Sequence, residues 1–156
     1  MRVVGLIIAV AALPAAAFPG AARAQDAPEG ACETPAEEAA GVCAALHSYL
    51  QGHATGQRRH AEAAFHPDAR MIWVSDGELR RRPIDEYLGG FEGEPAEDEA
   101  EQERWVETVD VTGDAAIAKI VFLYPGGRTV DYATLLRTGG EWRIIHKSFQ
   151  VEPASR

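Results

Sequence analysis

The chain reads as an α+β domain, with helices first and a curved antiparallel sheet afterwards. Three observations predict it. Apolar residues between Val42 and His53 recur at spacings of three and four, the period of one helix face. From Ala69 onward the period falls to two, in runs separated by Asp76-Gly77, Thr112-Gly113-Asp114, Pro125-Gly126-Gly127 and Gly139-Gly140. Finally, the helical strings precede most of the strand strings, which is the order of helices packed on one face of a sheet.

The elements follow in order. Met1-Arg2 precedes an apolar run from Val3 to Phe18, and Ala22-Arg23-Ala24 fits a small-x-small cleavage pattern. Residues 1–24 are therefore read as a signal peptide, with a membrane anchor as the competing reading. The run is short for a span, and Pro14 and Pro19 interrupt it. Residues 25–35 form a polar, Pro-containing leader, and the folded domain is expected over 36–152. Thr34-Pro35 is a helix start, with Glu37 and Glu38 in the first turn and Thr55-Gly56 at the end. A shorter helix is expected from Arg58 to Phe65, closed by His66-Pro67-Asp68. Strands are expected over residues 69–75 and 78–82 around the Asp76-Gly77 hairpin turn. Pro83 then opens a short helix, IDEYLGGF. Strands at residues 104–111, 115–124 and 128–138 and a last strand, EWRIIHKSFQV, complete the order.

Composition sets the outer bounds. The 156 residues carry 15 Lys and Arg against 24 Asp and Glu, a formal charge of -9. Without residues 1–24 the chain has 132 residues and a charge of -11. Such a surface argues against binding to nucleic acid or anionic lipid, which needs clustered cations. Seven of the acids lie between Glu92 and Glu103, a stretch without a basic residue, read as a solvated, flexible connector. Export would place Cys32 and Cys43 in an oxidising compartment where they can pair, and two unpaired thiols are the alternative.

Several chemistries are missing. There is no glycine-rich phosphate loop, no G-x-S-x-G elbow and no zinc-type cysteine cluster. His47, His53, His60 and His66 are six or seven residues apart, whereas a helical chelate needs three or four. No cofactor and no metal are expected.

The strings SYLQGHATGQ, AFHPDARMIWVSDGELRRRPIDEYL and DYATLLRTGGEWRIIHKSF, in that order, carry a family resemblance. From about Val42 to Phe149 the chain resembles the bacterial "putative lumazine-binding" proteins of the nuclear transport factor 2-like superfamily. The resemblance implies a cone-shaped barrel enclosing a pocket between helices and sheet, and a homodimer formed through the sheet's outer face. It also implies that the first helix, the first long strand and the last two strands line the pocket. Strand and helix parity then selects Tyr49, His53, Met71, Trp73, Tyr132, Thr134, Lys147 and Phe149 as ligand-binding positions.

Related isomerases carry a donor tyrosine where this chain has Tyr49, so Tyr49 and, as a substitute base, His53 are the catalytic candidates, with His146 the other histidine that could serve as base. The positions of the isomerase carboxylates hold Trp73 and Thr134, a departure that weakens that chemistry. Asp131, next to Tyr132, is expected to face away from the pocket unless a bulge inverts the strand. Lys147 could pair with an anionic ligand or form a Schiff base. The function expected is an exported small-molecule binder with an aromatic pocket. The alternatives are a cofactor-free isomerase, cyclase or dehydratase, or a structural domain with a filled pocket.

Overall fold

A computed structural model describes residues 30–154. The expected signal peptide and the first part of the leader lie outside the described residues. Helices α1 (Ala40–Thr55), α2 (Arg58–Ala64) and α3 (Ile84–Leu88) accompany six strands. These are β1 (Phe65–Ser75), β2 (Glu78–Pro83), β3 (Glu103–Thr112), β4 (Ala115–Tyr124), β5 (Gly127–Thr138) and β6 (Glu141–Pro153). They form one sheet in the order β2-β1-β6-β5-β4-β3.

The sheet is mixed rather than antiparallel throughout, because β1 pairs with β6 in parallel. Topology explains it. The β1–β2 hairpin is followed by α3 and the acidic connector, which carry the chain to the far edge. Four meandering strands then return to β1, and β6 arrives running in the direction of β1. The sheet does not close: β2 and β3 remain its two edges.

Local chemistry sets the boundaries. Asp76 and Gly77 both have positive φ, at 54° and 76°, the conformation of a two-residue turn that matches strand twist. Helix α1 begins later than Thr34-Pro35 suggests, after a short 3-10 turn at Glu37–Ala39. The cause is a disulfide between Cys32 and Cys43, with Cα atoms 5.3 Å apart. It holds the chain in a turn at residues 31–34, where the Ala31 N–H donates to the Val106 carbonyl on β3 at 2.7 Å. Loop closure over eleven residues is worth about 2–3 kcal/mol. Reduction should therefore lower the unfolding free energy by about that amount. Urea melts with and without reductant measure it, and coincident melts would show that the bridge stabilises nothing.

The core lies between α1 and the inner face of the sheet. Val42, Leu46 and Tyr49 on α1 meet Ile120, Phe122, Leu135 and Ile144 on β4, β5 and β6, all within 2% of full burial. Each such side chain contributes about 1.5–3 kcal/mol by leaving water. Gly52 permits α2 to approach, since a Cβ there would lie 2.9 Å from the Ala61 backbone nitrogen. Among the described residues, no helix is long and apolar enough to cross a membrane.

Candidate functional site

At one end of this core the apolar packing gives way to polar groups. Asp131 and Lys147 are the buried charged residues, 1% and 4% exposed, and Tyr49 between them is fully buried. Lys147 Nζ donates to Asp131 Oδ2 at 2.8 Å and to the Tyr49 hydroxyl at 2.7 Å. Tyr49 donates in turn to Asp131 Oδ2 at 2.7 Å. The Tyr87 hydroxyl extends the chain, 3.3 Å from the Tyr49 hydroxyl and 2.8 Å from His53 Nε2. Asp131 Oδ1 is buried without a partner.

Strand geometry aims these groups. On β5 the inward row is Asp131, Ala133 and Leu135, uninterrupted. On β6 the inward residues Ile144 and Lys147 are three apart, which strict alternation forbids. A bulge supplies the extra residue: Thr134 pairs with His146, but Leu135 pairs with Ile144, leaving Ile145 unmatched. Without that bulge Lys147 would face out.

The electrostatics follow from burial. Desolvation, then the Asp131 charge, pushes the Tyr49 phenol well above its usual range, and Tyr87 is raised mainly by burial. Both are neutral donors at physiological pH. Desolvation lowers Lys147, with Asp131 opposing it. Burial, then the charges of Lys147 and Arg104, drives His53 down to about 3, so its imidazole is neutral. Lys147 Nζ also lies 5.0–5.2 Å from the ring centroids of Tyr49, Tyr87 and Phe149, where ring quadrupoles attract a cation.

This polar floor lines a cavity of about 180 Å³, walled by Met71, Phe122, Tyr124 and Phe149. A larger cleft of about 650 Å³ adjoins it and shares His53, Arg82 and Tyr87. Glu92, Glu94 and Glu97 of the connector line that cleft. The connector is therefore at the mouth and is pinned at both ends, unlike the flexible segment expected. The Gly93 N–H donates to the Gly56 carbonyl at 2.9 Å, and Glu99 forms a two-point ion pair with the half-buried Arg104, both contacts at 2.6 Å. Gly56 is required there: its φ is +64°, and an added Cβ would collide with the Glu94 carbonyl oxygen.

Tyr49, His53, Met71, Lys147 and Phe149 meet around the cavity as parity suggests. Trp73 stands behind this wall, stacked on Phe149 at 5.3 Å between ring centroids, with the Arg82 guanidinium 5.4 Å from the centroid of the Trp73 ring. Tyr132 and Thr134 are displaced to the outer face, and Tyr132 is 54% exposed. The reason is a near tie in β5. Val130, Tyr132 and Leu136 mark one apolar face and Ala133 and Leu135 the other, and the smaller residues go under the helices. Sequence reasoning thereby placed Asp131 on the wrong face, and it met Tyr87 only within the short helix string IDEYLGGF. A lysine and a tyrosine both placed on inward faces, Lys147 on β6 and Tyr49 on α1, call for an anion on the adjoining strand, and that is the signal that could have found Asp131. Among the described residues, no group of three or more His, Cys, Asp or Glu is placed to hold a metal ion.

Solved structures share this architecture. A nuclear transport factor 2-like protein of unknown function from Shewanella baltica superposes with a TM-score of 0.68 at 24% identity, over 78% of this chain and 98% of that one. One from Silicibacter pomeroyi gives 0.62 at 25% identity, over 72% and 94%. A ketosteroid isomerase-like protein from Erwinia carotovora atroseptica gives 0.57 at 13%, over 74% and 96%, a likeness of fold alone. No curated protein is significantly similar to the chain. The family described as "Putative lumazine-binding" matches residues 37–150, which takes in the helices, the sheet and every residue of the polar floor. The chain belongs to that family.

Proposed function

We propose that the protein is an exported binder of a small planar molecule, held between the aromatic wall and the Tyr49–Asp131–Lys147 floor. One observation carries this reading: a buried ion pair beside a cavity, with one carboxylate oxygen left unpartnered. A domain with a filled core gains little from such a pair, since apolar residues of similar volume would serve as well or better. A ligand whose N–H or O–H reaches Asp131 Oδ1 would complete the network. Phe122, Tyr124 and Phe149 offer faces for stacking. The family description names lumazine, a planar heterocycle with such donors.

Titration of the purified protein with lumazine and related heterocycles tests the reading. Trp73 reports on the site through its stack on Phe149, so binding should change tryptophan emission. Phe149→Ala should weaken binding roughly tenfold, about 1.4 kcal/mol. If no planar heterocycle alters the emission or the melting temperature, the ligand reading is lost.

Two further parts of the proposal have their own support. The apolar run after Met1-Arg2 and the Cys32–Cys43 bridge both favour an exported protein. Val74, Leu79, Ile117 and Tyr132, all more than half exposed on the outer face, favour pairing of two copies there. Light scattering of wild type against Ile117→Asp reads that pairing directly; a monomer in both removes it. An isomerase using His53 as base has less support, because an imidazole at about 3 is a weak proton acceptor.

A further inference from the structure

The whole sequence contains two lysines, Lys119 and Lys147. Their surroundings are opposite. Lys119 lies on the outer face of β4, ion-paired with Glu107, and that hydrogen bond raises its pKa. Lys147 is buried at the floor of the cavity. Burying a lysine is costly and rare, and an ion pair alone does not favour it over an apolar residue.

We propose that Lys147 forms a reversible imine with a small aldehyde or ketone entering the cavity. This rests on the small-molecule reading of the same cavity and goes beyond it by assigning a covalent step. Of its three donor positions, one serves Asp131 and one Tyr49, which holds Nζ in place beside the cavity. Two requirements of imine formation are then met by named neighbours. The amine must lose a proton, and the partnerless Asp131 Oδ1 stands on the carboxylate already bonded to Nζ. The carbonyl oxygen must gain one, and the Tyr49 and Tyr87 phenols are held neutral beside it. Desolvation favours the amine over the ammonium, which supports the same role.

The balance is complete within the site. The ammonium proton passes to Asp131, and the Lys147 nitrogen forms a bond to the carbonyl carbon as the C–O π bond opens. Once Asp131 is protonated, the Tyr49 hydroxyl is released from donating to it and can protonate the new alkoxide, giving a carbinolamine. Asp131 then protonates that hydroxyl, water leaves, and the nitrogen lone pair forms the C=N bond. Before water leaves, the doubly protonated nitrogen of the carbinolamine gives one proton back to the Tyr49 phenolate, and its last N–H proton stays on nitrogen. The sum is carbonyl plus ammonium giving iminium plus water, with no oxidant or reductant. Met71, Phe122 and Phe149 around the cavity limit the water that would hydrolyse the product.

Benzaldehyde with cyanoborohydride at pH 7 tests this on the full protein, followed by peptide mapping. Lys119 is the internal control. Lys147 should be alkylated at least roughly tenfold faster than Lys119, because its amine stands at the cavity with Asp131 placed to take its proton and two phenols placed to give one. Asp131→Asn, which keeps an acceptor but takes up no proton, should remove most of that advantage, and Tyr49→Phe should reduce it. Labelling of Lys147 no faster than Lys119 in the wild type overturns the proposal and needs no variant to fold. Binding of benzaldehyde is read separately, by tryptophan emission without reductant. Binding without preferential labelling overturns the imine and leaves the binding reading intact. Absence of both binding and labelling counts against both.

Discussion

Replacing Asp131 with alanine is expected to cost about 3–5 kcal/mol of unfolding free energy, the largest loss from any single side chain in the site. The carboxylate accepts from both Lys147 and Tyr49, so its removal leaves an ammonium buried at the floor with no anion and a phenol with no acceptor. What is lost is chiefly the compensation for a charge already taken out of water, and only secondarily the attraction itself. A second substitution separates the two. Asp131→Leu combined with Lys147→Met removes both charges and should return stability to within about 1–2 kcal/mol of wild type. Urea unfolding followed by circular dichroism measures both variants. A single variant that costs under about 1 kcal/mol would mean that water reaches the pair. The double variant should also fail to bind the ligand, because it keeps the fold while erasing the polar floor.

Acid should destabilise the protein through His53. Its folded value, about 3, lies below the ordinary 6.5 of an unfolded histidine. Between those values the unfolded chain binds a proton that the native state refuses. Stability is therefore fully present above about pH 6.5 and is lost as pH falls toward 3. One proton gives a slope of at most about 1.4 kcal/mol per pH unit, or about 2 kcal/mol between pH 6.5 and 5. The groups around the imidazole account for the refusal: Tyr49, Phe91 and Phe122 enclose it, Tyr87 takes its Nε2, and Lys147 and Arg104 repel a positive charge. His53→Gln should flatten that slope above pH 5, where carboxylates contribute little. An unchanged slope would assign the acid sensitivity elsewhere.

Much of the fold was legible because its signals are local. The α1 face from Val42 to His53, the Asp76-Gly77 turn and the limits of β4 follow from periodicity and turn chemistry. The site was legible only in part. Tyr49, His53 and Met71 lie on elements whose inward face is marked by strong apolar neighbours. Alternation puts Lys147 on one face with Phe149, but that this face turns inward beneath Ile144 depends on the bulge at Ile145, which leaves no mark until the partner strand is known. Asp131 was hidden for a related reason. Hydrophobic patterning assigns a carboxylate to the solvent side, so a buried acid is visible only through the lysine and tyrosine that hold it. The parallel β1–β6 pair is equally non-local, because it depends on how many strands return across the sheet.

The bridge at Cys32 has a consequence for how the protein behaves in company. Strand β3 is an open edge, and an unpaired edge is a template on which another chain's strand can add. The turn held by Cys32 and Cys43 sets Ala31 against Val106 of that edge, so a backbone carbonyl there is already occupied. The cysteines thus keep a seam shut. A reduced molecule that still binds its ligand would nonetheless present that seam to its neighbours, and solubility would fail before folding did.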